Sequence, residues 1–187
     1  MHRVAVFIDG GYLDHVIADE FQGQKVDYSL LSKNVVEQAG ADNEILRIYY
    51  YHCLPYQGNP PTPEESQRFG QMQRFFRALQ RTPRFEVRLG RLAFRGLDSR
   101  RNPILEQKRV DLLLGLDLVL LAAKGLITQA FIVAGDSDLI PAIVAAKGEG
   151  ITIYLVHGSS CSDDLLDEVD ERILITPVII SSAHRML

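Results

Sequence analysis

Short apolar runs alternate with stretches of helical spacing along this chain. Arg3–Ile8 is a run rich in β-branched residues and predicts a buried strand. Tyr12–Phe21 and Tyr28–Ala39 read as helices, and Glu44–Leu54, carrying Ile45, Ile48 and three tyrosines, as the second strand. Pro55, Gly58, Pro60, Pro61 and Pro63 break the pattern into a loop. Glu64–Gln80 is an amphipathic helix that Pro83 ends. In Arg84–Phe94, Phe85, Val87 and Leu89 alternate with Glu86 and Arg88, the pattern of a half-exposed strand. Arg95–Pro103 is polar, basic and turn-rich, and 95–107 reads as a basic insertion loop. Lys108–Lys124 predicts a long helix, apolar nearly all round and so buried on more than one side. Gln129–Ala134 and Ile151–Val156 are the fourth and fifth strands, with a helix over Leu139–Lys147 between them. Ser162–Val169 is helical, and Arg172–Ile180 is extended around Pro177.

Strands alternating with helices predict an α/β domain with a mostly parallel sheet. Right-handed crossovers favour a doubly wound, five-stranded sheet in the order 3-2-1-4-5. Function is then expected beyond the carboxyl ends of strands one and four, at the switch point. A length of 187 residues suits one domain, 1–187. The first apolar run is too short for a signal peptide, and Asp111, Asp117 and Lys124 interrupt the longest one. Cys53 and Cys161 form neither a CxxC pair nor a disulfide framework. The expectation is a soluble, cytoplasmic protein with no membrane partner; the sequence leaves room for a homo-oligomer.

The formal net charge of −4 alone speaks against a polyanionic partner, but its distribution does not. From Arg68 to Arg109 twelve cations stand against three acids, a local +9, and the remainder carries −13. Eleven of the twelve are Arg, whose planar fork suits bidentate phosphate contact. A solvated Arg-rich helix face accounts for part of this, since Arg74, Arg77 and Arg81 share helical spacing.

Two acids occupy the expected switch point. Asp9 follows the apolar run Val4–Ile8, and Asp136 follows Phe131–Ala134 through Gly135. Neighbouring strands lie about 4.8 Å apart, so carboxylates at adjacent strand ends can meet at one cation. Gly10 and Gly11 leave room for a phosphate to approach the backbone. Helix capping explains an acid at Asp136, with Asp138 favoured at the positive helix end, but not its pairing with Asp9. Asp111 suits a first helical turn; Asp117, deep in Leu112–Leu121, must be hydrogen-bonded, neutral or near a metal. Hard carboxylate oxygens without His or Cys favour Mg²⁺ or Mn²⁺ over zinc.

Phe7-Ile8-Asp9-Gly10, then Lys108-Arg109-Val110-Asp111 with Asp117 six residues on, then Val133–Pro141 with its Gly135-Asp136-Ser137-Asp138 core, resemble the NYN (LabA-like) family. That family belongs with the PIN-like nucleases. The resemblance runs from Val4 to about Asp170. It implies a Rossmann-like three-layer α/β/α fold and a divalent-metal-dependent ribonuclease site, its cofactor Mg²⁺ or Mn²⁺ and its substrate single-stranded RNA. The acids would be Asp9, Asp111 and Asp136, with Asp138 or Asp117 completing the set. Asp138 would orient a water, and Ser137 would contact a phosphate oxygen. Arg95, Arg100, Arg101, Lys108 and Arg109 would line the path of the strand, with Tyr12 stacking on a base. Tyr12 stands where family members usually carry Asn, and on that departure rests the alternative, a weakly active or inactive RNA-binding adaptor of the same fold.

Overall fold

In a computed structural model that describes residues 1–99 and 103–184, the chain forms β1 (His2–Asp9), α1 (Gly10–Glu20), α2 (Tyr28–Gln38), β2 (Asn43–His52) and α3 (Pro63–Arg81). It continues through β3 (Phe85–Leu89), β4 (Arg91–Leu97), β5 (Pro103–Lys108), α4 (Val110–Ala123) and β6 (Gln129–Val133). The last elements are α5 (Ile140–Gly148), β7 (Thr152–His157), α6 (Asp163–Glu168), β8 (Glu171–Leu174) and α7 (Pro177–Ser182). Local chemistry sets many of these ends. Asp27 caps α2 by accepting from the Ser29 and Leu30 N–H groups. Thr62 and Glu65 form a capping box at the start of α3, with Pro63 in its first turn.

Six parallel strands make the central sheet, in the order β3-β2-β1-β6-β7-β8. The strands outnumber the expected five: β3-β2-β1-β6-β7 runs as 3-2-1-4-5, β8 extends that order, and β4 and β5 lie outside the sheet. Two readings account for this. Residues 171–174, expected only as extended chain, pair with β7 at the sheet edge. The extended reading also fails beyond them: Pro177 opens α7, where its missing N–H costs nothing, and Thr176 caps the turn. The stretch 84–94, expected as one strand, divides at Gly90 into β3 and β4. β4 then leaves the sheet and pairs antiparallel with β5, so the expected insertion loop is a two-stranded hairpin.

Period-two alternation divides the sheet into two buried faces. Val4, Val6 and Ile8 pack under α1, α2, α3 and α7, whereas Ala5, Phe7, Tyr49 and Tyr51 pack under α4, α5 and α6. The result is a three-layer α/β/α sandwich. Helix α4 buries Leu114 and Leu118 completely on the sheet, each side chain contributing roughly 1.5–3 kcal/mol. Its far side departs from the expected all-round burial. Leu112, Leu116 and Leu120 are exposed because no further layer covers them. Among the described residues no helix is long and apolar enough to cross a membrane.

Candidate functional site

Asp9 ends β1 two positions after Phe7, so strand alternation turns it toward the face that α4 covers. There it becomes the N-cap of α1, its Oδ1 accepting from the Tyr12 N–H at 3.1 Å. Asp136 repeats the device on the neighbouring strand. After β6 and Gly135 it caps the 3₁₀ turn Ser137–Leu139, its Oδ1 accepting from the Asp138 N–H at 3.0 Å. Asp111 comes from the first turn of α4, whose N-cap Arg109 sits in the left-handed region at φ 75°. Asp9, Asp136 and Ser137 line one cavity of about 600 Å³.

Like charge couples these acids. Burial, and then the charge of Asp111, holds the Asp9 carboxyl above the ordinary carboxylate range, against the pull of the Tyr12 N–H. Burial also raises Asp111, with the charges of Asp136 and then Asp138 adding to it. Such a rim calls for a cation. Yet among the described residues no three side chains of His, Cys, Asp or Glu stand close enough to hold a metal ion together. The carboxylates therefore meet less tightly than expected, because Asp9 and Asp136 each direct one oxygen to an amide of the following turn. Mg²⁺ normally keeps several of its waters and takes only one or two carboxylates plus substrate phosphate. The donor set fits that loose mode and not a closed cage.

Asp117 does not join the rim. Its Oδ2 accepts from the Tyr51 hydroxyl at 2.9 Å and from Arg88 Nε at 3.3 Å. Six residues of helix place it about 9 Å along the axis from Asp111. Of the ways open to a carboxylate in an apolar helix, hydrogen bonding is the one realised, and the metal role expected for Asp117 is corrected accordingly. Asp138 is exposed and acts on the rim through its charge.

Tyr12 is packed into the frame of the site. Its ring lies against Gly135, where an added Cβ would run into it, and its hydroxyl accepts from the Gly158 N–H at 3.0 Å. Tyr12 thus braces the chain leaving β6 against the chain leaving β7. Burial pushes its phenol up to about 12 despite that N–H. Packed on Gly135, the ring is a strut that also lines the acid-rimmed cavity. Tyr50 and His52 cover Gly10, so the open backbone expected at both glycines is confined to Gly11, which lines the cavity.

The expected cations scatter. Arg95 and Lys108 both pair with Glu106 on one face of the hairpin. Arg109 is exposed at the start of α4, and Arg100 and Arg101 lie outside the described residues. The hairpin's other face brings residues that the sequence reading missed. Leu92, Leu105 and Gln107 line the acid-rimmed cavity, and a Cβ on Gly11 would come within 2.9 Å of Gln107 Nε2. The signal was the alternation of Leu105 and Gln107 with Glu106 and Lys108, hidden by reading 95–107 as a loop. Ser160 and Ser162, after β7, complete the opposite wall.

No curated protein matches the chain. The NYN domain family matches residues 3–176 of the 187, from β1 to the cap of α7. With sheet, acid rim and match in agreement over nearly its whole length, the chain belongs to the NYN domain family.

Proposed function

We propose that this protein is a ribonuclease that hydrolyses phosphodiester bonds of single-stranded RNA with Mg²⁺ or Mn²⁺ as cofactor. One observation carries the reading: Asp9 and Asp136, from β1 and the end of β6, line a cavity large enough for a nucleotide, and Asp111 of α4 lies near enough for its charge to raise Asp9. Asp9, Asp111 and Asp136 would share the ion, one or two of them directly and the rest through its waters. When bound, it supplies charge neutralisation at the phosphoryl oxygens and lowers the pKa of a water.

Hydrolysis adds a water oxygen to phosphorus and breaks one P–O bond, and the departing oxygen takes up a proton. Asp9 and Asp136 would hold the cation that offsets the phosphate charge at the cavity rim, and Asp138, in the 3₁₀ turn that Asp136 caps, would orient the water. The Ser137 hydroxyl, in the cavity wall, donates to a non-bridging phosphate oxygen. Gly11 keeps the floor low enough for that phosphate to enter. The Gln107 amide offers the polar contact that an Asn at position 12 would otherwise give.

A second reading has its own observation. Tyr12 fills the Asn position with a packed ring, and the acids form no ready group of three ligands. A non-catalytic RNA-binding adaptor of the same fold would look like this. Incubation of the purified chain with single-stranded RNA and Mn²⁺ or Mg²⁺, beside Asp136→Asn, decides between them. Cleavage that the substitution abolishes supports the nuclease. Metal-independent binding with equal affinity in Asp136→Asn, and no cleavage, supports the adaptor.

A further inference from the structure

The β4–β5 hairpin has two unlike faces. Leu92 pairs with Gln107 and Phe94 with Leu105, so alternation puts these four on one face. Arg91 pairs with Lys108 on the other, beside Glu106. Leu92 and Leu105 are shared by the acid-rimmed cavity and a second one of about 260 Å³, to which Tyr56, Arg68 and the neighbouring Glu65, whose carboxylate already accepts from the Gly58 and Thr62 N–H groups, also belong. Arg68 is shared in turn with a third cavity, of about 420 Å³, walled by Tyr28 and Phe75. Common wall residues set the three cavities side by side, from Asp9 and Asp136 past the base of the hairpin.

Phe94 stands beside these cavities, stacked on Tyr56 with ring centroids 5.8 Å apart and planes 21° from parallel. It is nonetheless 50% exposed. A large apolar ring held half in water by an aromatic partner offers a flat surface on which a third ring can continue the stack.

We infer that Phe94 and Tyr56, with Arg68 beside them, form a base-stacking subsite for an unpaired nucleotide of single-stranded RNA, away from the bond at the acid rim. The inference rests on the RNA reading proposed above. Every base has a π-face, so such a platform holds a strand with little regard to sequence. Arg68 supplies a guanidinium for the adjoining phosphate or for a base edge. Bases in a duplex have no free face to offer, so the subsite selects unpaired RNA. The strand follows the Arg68 side of the hairpin, not the face on which Glu106 engages Arg95 and Lys108.

The test is fluorescence anisotropy with a fluorescein-labelled ten-nucleotide oligoadenylate and an abasic RNA of equal length, at one salt concentration with chelator present. Phe94→Ala is expected to weaken oligoadenylate binding by about tenfold, the effect of losing one stacked base, and to leave abasic RNA binding unchanged. Phe94→Leu, which keeps apolar bulk without a π-face, should behave as Phe94→Ala does, and Phe94→Tyr as wild type. Equal oligoadenylate affinity in wild type and Phe94→Leu overturns the inference, as does an equal loss on abasic RNA. If wild type binds oligoadenylate but never cleaves RNA with Mn²⁺, the nuclease reading falls and the subsite is still judged by Phe94. If wild type binds no RNA, both fall.

Discussion

The Tyr51 hydroxyl donates to Asp117 Oδ2 at 2.9 Å, and Arg88 Nε donates to the same oxygen at 3.3 Å. Tyr51 lies on β2 directly beside Asp9 in register, yet its hydrogen bond goes to the middle of α4, away from the acid rim. This three-residue contact ties α4 to the β2–β3 side of the sheet. It also separates two aspartates of one helix into different tasks. Asp117→Ala should therefore lower stability by about 1–3 kcal/mol, the cost of stranding the buried Tyr51 hydroxyl. For a chain of this size, thermal melting should show a fall of roughly 2–4 °C per kcal/mol. Residual RNA cleavage per folded molecule should stay within about twofold of wild type. A hundredfold loss in a folded variant would return Asp117 to the metal set.

Asp136→Asn and Asp9→Asn address the rim itself. Each should cut cleavage by about a hundredfold or more, the usual scale for removing a charge that acts in the transition state. Single-turnover assays with excess protein measure this without interference from product release.

The raised carboxyls of Asp9 and Asp111 fix the sign of a pH effect. Folding favours their protonated forms, so the stability they contribute is fully present below the unfolded carboxylate value. It is lost as pH rises through the higher folded values. With chelator present, the unfolding midpoint at neutral pH should consequently rise in Asp9→Asn, by roughly 2–4 °C if removing the buried charge and its repulsion by Asp111 relieves about 1 kcal/mol. Mg²⁺ or Mn²⁺ added to wild type should raise the midpoint by mass action, and should do so less in Asp9→Asn. An unchanged midpoint in both experiments would mean that the rim takes no cation.

Tyr12→Phe deletes the bond to the Gly158 N–H and leaves the ring on Gly135. A loss of about 1 kcal/mol is expected, visible in denaturant titration, with RNA affinity unchanged. If affinity falls several-fold instead, Tyr12 touches the RNA.

Gln107→Ala removes an exposed amide over Gly11 and should leave the melting midpoint within 1–2 °C of wild type, as surface changes usually do. Cleavage should fall several-fold if the amide contacts the phosphate. Arg95→Ala with Lys108→Ala removes cations already engaged by Glu106, so the salt dependence of RNA binding should change less than in Arg68→Ala.

What the sequence determined by itself was local. Apolar period and breakers located α1 to α6 within about two residues of their observed ends but missed α7, and Asp9 and Asp136 stood visibly where strands end. Capping by Asp136 was equally legible, because a cap is a contact between near neighbours in the chain. Tertiary structure decided the rest, because those contacts join residues far apart in sequence. Asp117 was an unexplained charge until Tyr51 and Arg88 arrived from β2 and β3. Tyr12 was an anomalous side chain until Gly135 and Gly158 defined the space it fills. The segment 95–107 was basic loop until antiparallel pairing sorted its side chains to two faces, sending Arg95 and Lys108 outward and Gln107 to the acids. Periodicity gives each element its own inside and outside; only packing of one element on another determines which partner lies there.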